Sequence, residues 1–86
     1  MVINNNLLLN YGKNRTASTT QNIVTLPMAY TEEFSTFIQV ENVTYLGISQ
    51  VKSTTLSTIN VIAGQSTSQG AVTRDNVSFT YLTIGY

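Results

Sequence analysis

The amino-acid sequence predicts an all-β protein with a single small domain. No stretch of about a dozen residues repeats its apolar side chains at the 3.6-residue spacing of an amphipathic helix. Threonine, valine, isoleucine, tyrosine and phenylalanine, which favour strands, are abundant. Short apolar segments recur along the chain and are separated by glycine, asparagine, serine and proline. Because 86 residues are too few for two separate cores, the whole chain, 1–86, is expected to form one domain.

The first half of the chain predicts three strands. The first covers about Asn6–Tyr11 and ends at Gly12, after which a polar loop follows. The second, Asn22–Leu26, ends at Pro27, which cannot donate to a ladder and therefore marks a strand end or an edge. The third covers about 34–42. Alternate residues of this third strand are expected to share one face, namely Phe34, Thr36, Ile38 and Val40.

The second half predicts three more strands. The fourth covers about Thr44–Lys52, and the pair Ser53-Thr54 is expected to turn the chain into the fifth, about Thr55–Ile62. The next segment, Ala63–Asp75, predicts a long exposed loop, because two glycines bracket a run of polar residues. The sixth strand covers Asn76–Gly85. Its apolar residues change parity halfway along, which favours either a bulge or burial on both faces.

Charge is scarce and balanced in this chain. Four basic and four acidic residues give zero net charge, and charged residues make up 9% of the sequence, against roughly 25% in average globular proteins. Neutral polar residues take their place, with 14 Thr, 8 Ser, 9 Asn and 5 Gln. Zero net charge removes a repulsion that keeps small domains monomeric, and little besides Lys52 and Pro27 protects the predicted sheet edges. Either the sheet closes on itself, or other copies of the chain cover its edges.

The missing residue types exclude several kinds of site. Without cysteine there is no disulfide and no thiolate metal site, and without histidine the commonest metal ligand and general base are gone. The adjacent Glu32 and Glu33 would point to opposite sides of an extended chain, so they do not suit paired-carboxylate catalysis. The apolar run Leu7-Leu8-Leu9 is too short to span a membrane. We therefore expect no enzymatic activity, no metal or cofactor, no nucleic-acid partner and no membrane insertion.

The neutral polar surface leaves two interpretations open. Hydroxyl and amide side chains, together with tyrosine, suit the binding of sugars and polar protein surfaces. The same composition is also expected of a domain that only needs to keep its strands soluble. Composition alone does not separate these interpretations.

Three segments are similar to motifs of a known family. The tripeptide Asn10-Tyr11-Gly12 is followed by Val24–Tyr30, and the chain ends in Val77–Tyr86. Together they resemble the C-terminal domain of tailed-bacteriophage tail fibres. In that family an aromatic-Gly pair opens the domain, and a hydrophobic-Pro-hydrophobic-Ala-aromatic segment follows. The chain then ends in aromatic-x-Ala-Ile-Gly-Tyr.

The resemblance implies a small antiparallel β-sandwich knob, assembled as an intertwined homotrimer at the tip of a tail fibre in the virion. The exposed loops of such a tip would bind a bacterial surface glycan or an outer-membrane protein. This chain departs from the family at Tyr11 and Tyr81, where Trp is more frequent, and at Thr83, where Ala is frequent. The motif residues are expected to be structural: Leu26–Tyr30 would build a strand end, and Gly85 would permit close backbone approach or a positive φ.

Candidate receptor contacts lie mainly in the predicted connections, because loops carry function disproportionately. They come from the Tyr30–Glu33 connection, from the predicted loop segment Gln65–Gln69 and from the residue that flanks this loop. The candidates are Tyr30, Glu32, Gln65, Ser66, Thr67, Ser68, Gln69 and Arg74. The alternative is a structural trimerisation or assembly cap of the fibre, without direct receptor contact. A carbohydrate-acting enzyme is the least favoured interpretation.

Overall fold

A computed structural model describes residues 7–16, 21–43, 46–66, 71–73 and 77–86. All regular elements within these residues are strands. They form two antiparallel sheets, one of order β1–β7–β3 and one of order β2–β5–β4, with β6 on the edge of β5 opposite β4. This arrangement confirms the predicted all-β fold and its antiparallel sandwich architecture. The strands are β1 (Leu8–Arg15), β2 (Ile23–Thr25), β3 (Phe34–Glu41), β4 (Gly47–Thr55), β5 (Thr58–Ser66), β6 (Val72–Thr73) and β7 (Ser78–Gly85).

The core lies between the inner faces of the two central strands, β5 and β7. Every second residue is buried along β7 and along β5 as far as Ala63, as expected for a pleated strand with one face against the core. A tyrosine and a leucine from the connection between β2 and β3 close one end of this core. The buried cluster consists of Val24, Leu26, Tyr30, Ile59, Val61, Ala63, Phe79 and Tyr81.

Three predicted strands agree with the structure to within about two residues. These are the second, the third and the sixth, which correspond to β2, β3 and β7. Pro27 follows the end of β2, as expected for a residue that cannot donate to a ladder. The predicted shared face of β3 is confirmed and is the inner one, because Phe34, Ile38 and Val40 pack against the core cluster.

The first strand does not end at Gly12, as the sequence predicts, but continues to Arg15. Gly12 pairs with Tyr81 of the neighbouring β7. A Cβ built on Gly12 would lie only 2.5 Å from the Tyr81 hydroxyl oxygen. The glycine therefore makes room for a tyrosine ring across the strand, and it serves packing instead of ending the element.

The hairpin between β4 and β5 is displaced from its predicted position. The turn is formed by Leu56-Ser57, not by Ser53-Thr54. A β-bulge at Lys52 shifts the register of β4 and lengthens it beyond the predicted end. Two hydroxyls then stabilise the turn, since the Thr55 and Thr58 Oγ1 atoms lie 2.6 Å apart and the Ser57 N–H donates to Thr55 Oγ1.

The predicted loop Ala63–Asp75 is wrong in its first part. Strand β5 continues through Gly64 to Ser66, and the short strand β6 pairs with the last two residues of β5. Most of the remaining loop lies outside the described residues. The parity change in β7 is not a bulge, because β7 pairs with both neighbours without a register shift. Its second half instead carries half-buried Leu82 and Ile84 on the face opposite the core.

The two ends of the sandwich are formed by different strand ends and connections. At the terminal end, Leu8 and Phe34 flank Gly85 at the end of β7. The connection from β2 to β3 and the Leu56-Ser57 turn lie at the same end, because Tyr30 N–H donates to the Leu56 carbonyl at 2.7 Å. At the opposite end, which we call the loop end, β1, β3 and β5 finish and β7 begins.

Candidate binding surface

A buried asparagine joins two of the motif segments near the terminal end. Asn10 lies on the inner face of β1 and is 2% exposed. Its side-chain amide donates to the Met28 carbonyl oxygen at 2.8 Å, and its amide oxygen accepts the Met28 N–H at 2.9 Å. The side chain acts like a neighbouring strand, and it satisfies two backbone groups of a segment that lies outside the sheets.

Tyr30 belongs to the core of this end. It is 3% exposed, and its ring stacks on Phe34 with the centroids 4.4 Å apart and the planes 15° from parallel. Its hydroxyl lies 2.7 Å from Thr83 Oγ1 and also donates to the Leu8 carbonyl oxygen at 3.4 Å. This burial leaves almost no side-chain surface for a receptor. Tyr30 is therefore removed from the candidate contacts, and its expected structural role is confirmed.

The C-terminal residues are held by the same connection. The N–H groups of Thr31 and Glu32 donate to the Tyr86 carbonyl oxygen at 2.9 and 2.7 Å, and the Tyr86 N–H donates to the Glu33 carbonyl at 2.8 Å. A Cβ built on Gly85 would collide with the Glu33 carbonyl oxygen and with Phe34 Cα. The expected close backbone approach at Gly85 is confirmed, and only a glycine fits it.

Glu32 is exposed at the terminal end and borders a shallow cavity. This cavity has a volume of about 300 Å³ and is lined by residues 32–34 and 54–56. A second cavity of about 380 Å³ also borders Phe34, and Leu7, Ile84 and Tyr86 contribute to its walls. Both cavities are open, and their walls mix carboxylate, hydroxyl and apolar groups. Such walls suit weak binding of polar ligands more than they suit catalysis.

Gln65 and Ser66 lie at the loop end, in a strand and not in a loop. Ser66 N–H donates to the Leu46 carbonyl oxygen at 2.8 Å, and Ser66 Oγ accepts the Leu46 N–H at 3.1 Å. The Gln65 carbonyl oxygen accepts the hydroxyl of Thr73 on β6 at 3.4 Å. These bonds hold the last two residues of β5 in place. The other candidates of this group lie outside the described residues, and they are Thr67, Ser68, Gln69 and Arg74.

The candidate residues that the structure describes therefore do not form one site. Glu32 lies at the terminal end, whereas Gln65 and Ser66 lie at the loop end. Strand β5 has nine residues, and it separates the two ends by about 30 Å at roughly 3.3 Å per residue. A receptor that contacts one group would not reach the other on the same chain without a large footprint.

The outer face of the β1–β7–β3 sheet carries an apolar patch that the sequence did not predict. Tyr11 and Phe37 both lie opposite Leu82, one on each side of β7, and they are 58% and 59% exposed. Leu9 lies opposite Ile84 in the next row of the same face. The parity change in β7 is the signal in the sequence that could have led to it. The apolar patch consists of Leu9, Tyr11, Phe37, Leu82 and Ile84.

Charged side chains on this face gather towards the loop end. Lys13 Nζ lies 4.0 Å from Glu41 Oε1, and the Thr80 hydroxyl donates to the same carboxylate oxygen. Arg15 donates to the Ser78 hydroxyl at 3.2 Å. The exposed Lys13–Glu41 pair contributes at most about 1 kcal/mol. The outer face therefore has an apolar half near the terminal end and a polar half near the loop end.

The described parts of the chain contain no group of three or more acidic, histidine or cysteine side chains close enough to hold an ion. Nor do they contain a helix of the length and apolarity needed to cross a membrane. No family model, no curated protein and no solved structure matches this chain.

Proposed function

We propose that this domain is the receptor-binding tip of a phage tail fibre, which attaches the virion to a bacterial surface component through the loops of its loop end. The observation that carries the proposal is the way the three motif segments pack. Asn10 holds Met28, Tyr30 bonds to Thr83, and the backbone next to Gly85 holds residues 31–33. The family-like motifs thus join as one structural unit, as the resemblance implies.

The direction of the chain supports the choice of the loop end. Leu7 enters the sandwich and Tyr86 leaves it at the terminal end. Any preceding shaft would join the domain there, so that the loop end points away from the virion. The connections at that end follow β1, β3, β5 and β6, and they are rich in threonine, serine, asparagine and glutamine. Such side chains form many hydrogen bonds with sugars or polar protein surfaces.

The test is competition for adsorption. Purified domain added to host cells should occupy the receptor and slow the adsorption of the phage that carries this fibre. Substitutions Thr67→Ala and Arg74→Ala should weaken this competition several-fold, whereas Glu32→Ala, at the opposite end, should leave it unchanged. Light scattering on each variant checks that the assembly is intact. A domain that does not compete at high cell occupancy would overturn the proposal.

The second candidate function is a structural cap that assembles and registers the fibre. The apolar patch favours it, because an exposed apolar face of this kind is typical of an interaction surface. A cap predicts that loop variants keep wild-type adsorption, while substitutions in the patch disrupt the fibre. A tip predicts losses from both kinds of variant.

A further inference from the structure

A small pocket opens on the outer face of the β2–β5–β4 sheet, near the loop end. Gly64 is buried there, on the face of β5 opposite the core, and it has no side chain to fill the space above it. Ile48 of β4 lies opposite Gly64 on one side, and Val72 of β6 borders the space on the other. Ile62, two residues earlier in β5, completes the apolar wall. We call this cavity of about 110 Å³ the Gly64 pocket.

The side chains around the Gly64 pocket are apolar although water reaches them. Ile48 and Val72 are 39% and 48% exposed. Leu46, which bonds to Ser66 at the end of β5, is 69% exposed and extends the apolar surface towards the loop end. The outer face of an antiparallel sheet normally carries polar residues. Exposed apolar side chains gathered around a concave space are instead typical of a binding surface.

The chemistry of the lining selects a neutral aliphatic group. Within the described residues, no ionised side chain lines the pocket, so its walls complement neither phosphate nor carboxylate nor ammonium groups. Only Ser49 and Gln50 contribute polar side chains to the lining. The hydroxyl groups of a sugar would lose water on entering the pocket, and branched aliphatic walls cannot replace those hydrogen bonds.

The volume of the pocket limits its ligand to one small group. An apolar cavity of roughly 150 Å³ holds a single benzene ring. The Gly64 pocket, at about 110 Å³, therefore takes one side chain of about the size of valine or leucine, and it is too small for the length of a lipid acyl chain. A polypeptide presents such a side chain on a backbone that can bond to the polar groups around it.

We propose that the Gly64 pocket binds one aliphatic side chain of a protein, and that the receptor of the loop end is therefore a protein loop and not a glycan. This proposal rests on the proposed function, which turns the loop end towards the bacterial surface. Gly64 belongs to that end, because it is two residues from Ser66, the last residue of β5. An apolar anchor in a pocket, surrounded by polar contacts, is the usual arrangement of a protein–protein interface.

Treated host cells distinguish a protein receptor from a glycan. Labelled domain is titrated onto untreated cells, onto cells digested with proteinase K and onto cells oxidised with periodate, which cleaves the diols of sugars. Binding should be lost after the protease and kept after periodate. The reverse result would overturn the inference and leave the proposed function intact. Binding to protein-free vesicles of phosphatidylethanolamine and phosphatidylglycerol would also overturn it, since the ligand would then be a lipid.

A charge in the wall tests whether the pocket carries this binding. Val72→Asp should weaken binding to untreated cells by about ten- to a hundred-fold, as expected for the loss of an interface anchor. Ile23→Asp is the matched control, because Ile23 is 58% exposed on the same face but lies opposite Asn60, about 13 Å along β5 from Gly64. It should bind like the wild type.

Two results with these variants would contradict the inference. The first is wild-type affinity of Val72→Asp for untreated cells. The second is a lower molecular mass of Val72→Asp than of Ile23→Asp in light scattering, because the pocket would then belong to a contact between copies of this chain.

A small probe tests the pocket without the receptor. In methyl NMR spectra of the wild-type domain, millimolar N-acetyl-leucinamide should shift the signals of Ile48, Ile62 and Val72 and leave that of Ile23 in place. N-acetylglucosamine should shift none of them. Pocket methyl groups that do not respond to the leucine probe would overturn the inference.

The failures of the two proposals are distinguishable. A domain that takes the leucine probe but binds no host cells rejects the proposed function and keeps the site for an aliphatic side chain. A domain that binds host cells with the same affinity after Val72→Asp rejects the present inference alone.

Discussion

Single polar side chains hold the terminal end together, and Asn10 is the clearest case. The Asn10→Ala substitution removes both hydrogen bonds to Met28 and leaves that backbone to find water or remain unpaired. We expect a loss of about 1–3 kcal/mol in the free energy of unfolding, measured by urea denaturation. Asn14→Ala is the matched control, because Asn14 lies on the same face of the same strand but is exposed; it should cost less than about 0.5 kcal/mol. Equal losses for the two variants would contradict the structural role of Asn10.

The buried phenol of Tyr81 is expected to make the protein less stable at high pH. Burial raises the pKa of Tyr81 above its usual value of 10.0, because the charged phenolate is poorly solvated beneath the sheet. The folded state then holds this proton more tightly than the unfolded state. The stabilisation is complete below pH 10 and is lost as the pH rises through the pKa of the folded state. Tyr81→Phe should flatten the fall in the urea midpoint above pH 10, and an unchanged fall would contradict the assignment.

At the residue scale, the sequence predicts which residues pack inside the domain better than it predicts which residues would contact a receptor. Gly85 can be identified in advance, because a glycine within an apolar motif indicates close approach of the backbone. Tyr30 cannot be assigned so simply, since an aromatic residue with a hydroxyl suits either a core or a binding surface. Its burial depends on Phe34 at the start of β3 and on Thr83 in β7, which is 53 residues away in sequence.

Strand β4 is the most exposed long element, and it carries a single charge along an open edge. Most of its residues are exposed, and only Lys52 is ionised. The Lys52→Ile substitution should therefore promote edge-to-edge association, because charges and bulges are what keep such edges from pairing with other chains. Light scattering over hours at high concentration should rise for Lys52→Ile and remain low for Lys52→Glu, which keeps a charge at the bulge. Similar behaviour of both variants would contradict a protective role of the charge.

The elements that the sequence predicts well are those with a strong local pattern. β3 alternates half-buried and exposed residues over most of its length, and β2 is followed by a proline, so their bounds follow from neighbouring residues. Three features depend instead on partners across the sheet: the continuation of β1 through Gly12, the bulge at Lys52 and the extension of β5 through Gly64. The pairing of Gly64 with Ile48 of β4 outweighs its weak preference for strands. The separation of the candidate contacts between two ends likewise follows from topology, which no local pattern encodes.

At the scale of the whole molecule, the described residues expose as many large hydrophobic side chains as they bury hydrophobic ones, nine of each. A core of this size gives a small domain only a few kcal/mol of stability. The exposed side chains include Tyr11 and Phe37. Burial of the outer face of the β1–β7–β3 sheet against another molecule would therefore add to the stability of the fold.

Unfolding should therefore depend on protein concentration. If copies must separate before or as the chain unfolds, the equilibrium favours the assembly at high concentration by mass action. For a trimer of this chain length, a hundred-fold rise in concentration should raise Tm by on the order of 10 °C. The Phe37→Glu variant should unfold at a lower Tm that does not change with concentration, whereas Ile23→Glu should behave like the wild type. A wild-type Tm that is constant over the same range would mean that each chain is stabilised by its own core alone, and the outer face would then need no partner to keep the fold intact.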